Sequence, residues 1–398
     1  MMGRRASILA ALAAALALGA CAETTGEGSV AERRWSEGRL PRYAAPADAG
    51  APRAGTPIRI GLLLPLTGDY ADYGQNLLDA AALALFDQNL ARPAELVPRD
   101  TRGVPDGAGA AAVDAVAAGA SAIVGPALAI GGPGVVRAAT ASGAPILLLR
   151  GDRRLSAPGV FAMGHAPEAM TTRVVDYASR QGVLRISALA PQTAYGEAAL
   201  AGLQGAAATR GIVVAQAGYI SDTGSPDSLA AIVVSALNAA GPNGALFLPF
   251  PAEQLPPIAR AIAAVTQGGA PMLLGLDRWE SVGLASLPSF GRAVYAGPDP
   301  AATADFRRRY QAAFGRAPAR GAAIVYDMVL MAGYAGQSAG AKGLGAYDLT
   351  TAQGFRGVEG PFRLSRDGGV ERNYAIVGVR DGRLAVVEPA PLNFEGEG

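Results

Sequence analysis

One histidine and one cysteine limit the bond-making chemistry that this chain of 398 residues can assemble. His165 stands in FAMGHAPE, just ahead of a proline turn, where a structural or solvent-facing ring is expected. A zinc site needs three or four His, Cys or acidic ligands, and a Ser or Cys nucleophile needs a base beside it. Neither can be built around a lone imidazole. No G-x-S-x-G, P-loop or G-x-G-x-x-G occurs, and the glycines Gly131, Gly132 and Gly134 lack the spacing that cradles a phosphate. Asp69, Asp72, Glu197, Asp277 and Glu280 are carboxylates that loops could bring to a cleft, where two of them could flank a glycosidic bond. Their positions at helix starts and strand ends fit caps and solvated loop charges better. The expectation is a binding protein, not an enzyme, with no metal and no cofactor.

The residues best placed for binding sit where apolar runs end. Thr67, Asp69 and Tyr73 follow the run from Ile58 to Leu66, Pro126 follows SAIVG, Arg150 follows PILLL, Tyr195 follows LAPQTA, and Asp277 follows MLLGL. In an open α/β sheet such loops, with the helix amino termini beside them, are where ligands dock. These seven residues are therefore the candidate ligand cleft. Tyr73 and Tyr195 each precede a glycine at a helix start and could offer an aromatic face. Arg150 could clamp an anion through its guanidinium or pair with Asp152 or Asp100. Asp277, Arg278 and Trp279 could form an opposite wall.

The elements that must position these residues alternate between strand and helix from Pro57 onward. Ile58 to Leu66 reads as a buried strand. Leu77, Leu78, Ala81, Ala82, Leu85 and Phe86 then recur at three and four, giving a helix with one apolar stripe. Asp72 with Gln75 three residues on predicts a capping box and a helix start near Tyr73. Strands follow at 94–100, 121–125 and 145–149, with helices at 106–118 and 134–142 between them. All-apolar strands of this kind are covered on both faces, as in parallel sheets. After the turn at 159–168 a second series begins, with helices at 170–181, 197–209, 227–239 and 253–266 and strands at 184–189, 212–219, 245–248, 272–276 and 293–296. Helices at 303–314 and 319–335 come next, the first with a charged face around Arg307 to Arg309 that is expected in solvent. Alternating residues around the D-G turns at 367–368 and 381–382 close the chain as an antiparallel meander. Such a length suits two lobes of ~150 residues. The fold class is α/β, with two doubly wound parallel-sheet lobes and antiparallel hairpins at the C-terminus.

Charge adds an exclusion. With 34 basic against 33 acidic residues there is no electrostatic reason to expect a nucleic acid partner. Lys342 is the single lysine, and the arginine and alanine bias reads as genomic base composition. Arg4 and Arg5 precede a short apolar run, Ile8 to Leu18, that ends in Leu18, Gly19, Ala20 and Cys21. Residues 22–56, rich in Gly, Glu, Arg, Ala and Pro without an apolar period, read as a flexible tether.

L-G-A-C resembles the lipobox of bacterial lipoproteins. The resemblance implies that 1–21 is a signal peptide and lipobox, that Cys21 carries the lipid, and that two or more acyl chains hold the protein to a membrane. Ala22 after it, in place of aspartate, implies sorting to the outer membrane, with the protein on its periplasmic side. IGLLLPLTGDYADYGQNLLDAA, IVGP, FAMGHAPE, LAPQTAYGEA, FRRRYQAAFGRAP and GFRGVEGPFRL, in that order, resemble the type I periplasmic solute-binding fold, also called the leucine-binding-protein fold. That fold crosses between lobes three times. The resemblance thus implies a first lobe from 57–165 with 297–345, a second from 166–296 with 346–390, and a hinge that permits closure on a ligand. Amino-acid receptors of this fold present hydroxyls to the substrate carboxylate and an acidic group to its ammonium. Here the matching loops read Gly125, Pro126, Ala127, Leu128, Ala129 and Arg150, Gly151, Asp152, so that clamp is absent. LLLPLTGDYADYGQ is instead similar to the opening of LpoA- or LppC-type lipoproteins, the penicillin-binding protein activators. The similarity implies a peptidoglycan synthase as partner. The alternative is a lipid-anchored receptor for a branched-chain amino acid-type ABC permease, with a small-molecule ligand in the cleft between the lobes.

Overall fold

The structure, a computed structural model, describes residues 57–394 except 89, 91, 129–131, 222–225, 267–270, 282, 288 and 341–342. The expected signal peptide with Cys21 and the expected tether lie outside the described residues.

Apolar strands and helices with one apolar stripe build the first lobe. They are β1 (Ile58–Leu64), α1 (Ala71–Asp87), β2 (Ala94–Asp100), α2 (Pro105–Ala117), β3 (Ala122–Val124), α3 (Gly132–Ser142), β4 (Ile146–Leu148) and β5 (Val160–Ala162). The five strands pair in parallel in the order β2-β1-β3-β4-β5. Ile60, Leu62, Val124 and Leu147 are fully enclosed, as strands with helices on both faces must be.

The second lobe repeats the plan with α4 (Pro167–Arg180), β6 (Arg185–Pro191), α5 (Ala194–Arg210), β7 (Val213–Ile220), α6 (Pro226–Ala240), β8 (Ala245–Phe247), α7 (Leu255–Thr266), β9 (Met272–Leu276) and β10 (Ala293–Gly297). The chain then returns to the first lobe through α8 (Pro300–Phe314) and α9 (Ala322–Ala339). Phe306 and Tyr310 of α8 and Met328 and Val329 of α9 join Ile60 and Leu62 in one core. Burying side chains of this size stabilises the fold by about 1.5–3 kcal/mol each, which fixes these helices on the first lobe even though they follow the second in sequence.

The tail divides, contrary to the expectation that all of 346–390 belongs to the second lobe. β11 (Phe355–Gly357), β12 (Gly360–Leu364) and β13 (Val370–Arg372) form a small antiparallel sheet. Its Phe362 and Leu364, with Leu349 before them, pack into the first-lobe core. Only β14 (Ala375–Arg380) and β15 (Arg383–Glu388) join the second lobe, where they extend its sheet antiparallel in the order β15-β14-β10-β9-β8-β6-β7. The physical reason is the alternation itself: Phe362 and Leu364 point to one side and need an apolar surface, and the nearest is under α9.

The capping box at the start of α1 is not made. The helix begins at Ala71 with no side-chain cap, and Gln75 Nε2 donates to Asp79 Oδ1 at 2.9 Å, one turn further on. Backbone packing sets this start instead. Gly74 lies so close to the carbonyl of Pro65 that any Cβ would strike it. Gly196 meets the carbonyl of Pro191 in the same way at the start of α5.

Candidate functional site

That pair of glycines places two tyrosines. Each locks the first helical turn against the end of the preceding strand, so Tyr73 of the first lobe and Tyr195 of the second both project into the gap between the lobes. Both line a cleft of about 1060 Å³. The Tyr73 hydroxyl donates to the backbone oxygen of Arg320 at 3.3 Å, and the Tyr195 hydroxyl donates to Asp277 Oδ1 at 3.0 Å. The Arg320 guanidinium donates to the other Asp277 oxygen. Tyr73, Arg320, Asp277 and Tyr195 thus form one continuous connection from lobe to lobe. Asp277 is only 5% exposed in its side chain, whereas that of Arg320 is 61% exposed. The carboxylate is a fixed socket, and the arginine reaches it from solvent.

A second bridge lies beside the first. Arg307 of α8 donates to Glu280, which follows β9. The charged face of α8 expected in solvent is therefore only partly so: Arg308 and Arg309 bind Asp305 on their own helix, and Arg309 also reaches Asp87, but Arg307 crosses the cleft. On the second-lobe wall the Arg278 guanidinium stacks over the Tyr195 ring, 3.8 Å from its centre. Burial, and after it the charge of Asp277, push the Tyr195 hydroxyl well above its ordinary pKa. Burial likewise raises Tyr73, against the opposing effect of Arg320. Both phenols are therefore donors at any physiological pH.

At the back of the cleft the crossovers form a buried cluster. His165 Nε2 lies 2.8 Å from Glu359 Oε2, and His165 Nδ1 lies 3.3 Å from the Tyr374 hydroxyl. Arg372 reaches the Met163 carbonyl at 3.4 Å, and its guanidinium stands 4.8 Å from the centre of the Phe362 ring. Asp327 of α9 accepts from Val358 N with both oxygens, at 3.0 and 2.9 Å. Burial pushes the Asp327 carboxyl up to about 8, against the opposing pull of Arg372 and the Val358 amide. Glu359 lies low: burial would raise it, but His165, Arg372 and Arg320 together outweigh that effect.

Of the seven residues expected in the cleft, Tyr73, Arg150, Tyr195 and Asp277 line it. Thr67, Asp69 and Pro126 do not. The Thr67 hydroxyl donates to Asp100 Oδ2 at 2.6 Å and ties its loop to the end of β2, while Asp69 is exposed on the far side of that turn. Pro126 is buried, and its neighbour Ala127 takes the place at the surface of the cleft. Arg150 stands 3.9 Å from Asp152, which is bound more closely by Arg154 at 2.9 Å, and makes no pair with Asp100. Arg278 joins the opposite wall, while Trp279 turns inward and packs on Gly275 and Phe290. Sequence reading missed Arg320, Arg307 and Glu359. Among the described residues no group of three or more His, Cys, Asp or Glu is placed to hold a metal.

Two α/β lobes facing each other across a cleft crossed by charged side chains define a binding protein of the venus-flytrap kind. The chain belongs to the periplasmic binding protein family, whose model matches residues 57–383. No curated protein matches it. A putative branched-chain amino acid ABC transporter from Rhodospirillum rubrum has a similar structure, with a TM-score of 0.71 and 20% identity over 83% of this chain and 100% of that one. A solute-binding protein of an ABC transporter from Rhodopseudomonas palustris, solved with 3,4-dihydroxybenzoic acid, gives 0.62 at 19% identity over 84% and 96%. LpoA from Haemophilus influenzae gives 0.61 at 17% identity, over 84% of this chain and 60% of LpoA. At these identities the likeness is one of fold.

Proposed function

We propose that the protein is a non-catalytic envelope lipoprotein that regulates a peptidoglycan synthase, as penicillin-binding protein activators do, held by a lipid on Cys21 to the inner face of the outer membrane. The observation that carries this reading is the latch. The lobes are fastened across the cleft by the chain's own groups, Arg320 to Asp277 and Arg307 to Glu280. A transport receptor gains its closed form from the solute that bridges its lobes, and closure reports that the solute is aboard. A chain that closes on itself makes a poor reporter of solute but a stable surface for a protein partner. Ala127, in place of a clamping hydroxyl, supports the same reading, as does the fold likeness to LpoA over the part the two share.

The test is to immobilise the full chain and offer it the penicillin-binding proteins of the same cell. One of them should be retained, and its glycan polymerisation or peptide cross-linking should rise when the chain is added. Retention of none, together with loss of solute uptake in a deletion strain, would overturn the proposal. Cys21→Ser should move the protein from the membrane to the soluble periplasmic fraction.

One observation favours a second reading, a lipid-anchored receptor for an ABC permease. The cleft keeps a volume of about 1060 Å³ despite the latch, at or above the 300–1,000 Å³ or so of ordinary ligand pockets. Solute uptake that depends on the chain, with no synthase bound, is the result that would select it.

A further inference from the structure

Once the latch is accounted for, buried atoms of charged groups of both signs remain in the cleft without hydrogen-bond partners among the described residues. Arg150, at the end of β4, has a buried Nε with no hydrogen-bond partner among the described residues. Its one acidic neighbour, Asp152, stands 3.9 Å away and is held by two bonds from Arg154, at 2.9 and 3.0 Å. On the second-lobe wall, Glu168 in the first turn of α4 has a buried Oε2 that likewise has no hydrogen-bond partner among the described residues, although the Arg154 guanidinium is close enough to feel its charge. Glu197, in the first turn of α5, lines the same wall. Carboxylates suit first turns because of the helix dipole, which accounts for Glu197. It does not account for an enclosed, unbonded oxygen on Glu168, since a buried charged atom left unsatisfied is costly.

The size of the space narrows what could satisfy both ends. A single amino acid would fill a small fraction of about 1060 Å³. The walls of the same cleft also offer small and apolar surface from Leu149, Ala198, Ala201 and Ile324. We propose that this cleft binds a short peptide with free termini, its carboxylate on Arg150 and its ammonium against Glu168 and Glu197. Such a peptide spans from lobe to lobe beside the latch and adds to it. The site stands apart from the question of the macromolecular partner: for a synthase regulator the peptide is an effector, and for a receptor it is the cargo.

The experiment is a thermal-shift titration of the full chain, purified in detergent, with an equimolar mixture of tripeptides at 1 mM total. The same mixture N-acetylated, the same mixture C-amidated, and a mixture of free amino acids serve as the other arms. Free-ended tripeptides should raise the melting temperature by about 2–4 °C, the shift expected when ligand exceeds its Kd severalfold. Both capped mixtures should raise it far less. Arg150→Gln should weaken binding about 10–100-fold, as loss of a charge-assisted bond does, and Arg150→Lys should retain part of it. The double variant Glu168→Gln with Glu197→Gln should lose the preference for a free amino terminus while keeping the preference for a free carboxyl end. No shift with free-ended tripeptides, equal shifts with capped ones, or an equal shift with free amino acids would each overturn the assignment. These arms use the unmodified chain alone, so they are decisive even if a variant does not fold. They involve no synthase, so failure here leaves the regulator proposal standing, and failure there leaves this one.

Discussion

Across the mouth of the cleft Arg320 and Arg307 reach Asp277 and Glu280 with side chains that stay 61% and 49% exposed, whereas at the crossovers Arg372, Tyr374 and Asp327 are almost wholly enclosed. Both regions join the lobes through ionic and polar contacts, yet water treats them differently. A pair whose arginine stands in water is partly screened by salt and loses side-chain entropy on forming, so it is worth less than an enclosed one. An enclosed cluster is costly to assemble and costlier to break, because each lost partner leaves another buried charge uncompensated. The mouth therefore has the properties of a latch and the crossovers those of a hinge pin.

The largest effect should come from breaking the pin. Glu359→Ala removes the partner of His165 and a charge that Arg372 faces, and should destabilise the protein by roughly 3 kcal/mol in urea unfolding, the range for buried pairs. A cost no larger than that of an exposed pair would erase the distinction between the two regions.

The pin should also show a pH signature that the latch lacks. The carboxyl of Asp327 lies at about 8 in the folded protein and near 4 when unfolded, so between these values the folded state holds the extra proton. Its contribution is fully present below pH ~4 and is lost as pH rises towards 8. Glu359, held low, acts oppositely, with stability lost only as pH falls below the ordinary carboxylate range. Urea unfolding at pH 6 and pH 9 should therefore find the protein weaker at pH 9, and Asp327→Asn should remove most of that difference. An unchanged slope in the variant would show that the proton sits elsewhere.

At the mouth, Asp277→Asn keeps an acceptor for Tyr195 but removes the charge that holds Arg320. The expected cost is about 1–2 kcal/mol, together with a larger radius of gyration in solution scattering as the lobes part. A closed, unexpanded variant would mean that the pair follows closure and does not hold it.

How far these regions could be read from sequence depended on distance along the chain. Apolar runs announced the strands, and their ends announced Tyr73, Arg150, Tyr195 and Asp277, because one local pattern both builds a strand end and presents the next residue. Thr67 and Asp69 carried the same signal, but Asp100 at the end of β2 captured the threonine and turned the loop outward. Arg320 and Arg307 had no such signal. Their partners lie 43 and 27 residues away on the other lobe, and an arginine ahead of an apolar helix or within a charged helical face looks like any solvated one. The division of the tail was equally hidden. Alternation at Phe362 and Leu364 shows that one side is buried but not against which lobe.

The smallest effect sharpens the comparison from the other side. Arg307 and Glu280 form an exposed bridge between long side chains, so Arg307→Gln should cost only about 0.2–1 kcal/mol in low salt. Raising the salt to 1 M shortens the screening length to about 3 Å and should erase the difference between wild type and variant. Glu359→Ala should keep most of its deficit in the same salt, since the His165 and Glu359 side chains are only 10% and 16% exposed and are screened less than a pair in water. If both deficits shrink together, the crossovers are wetter than their burial implies, and pin and latch are then one kind of contact at two depths.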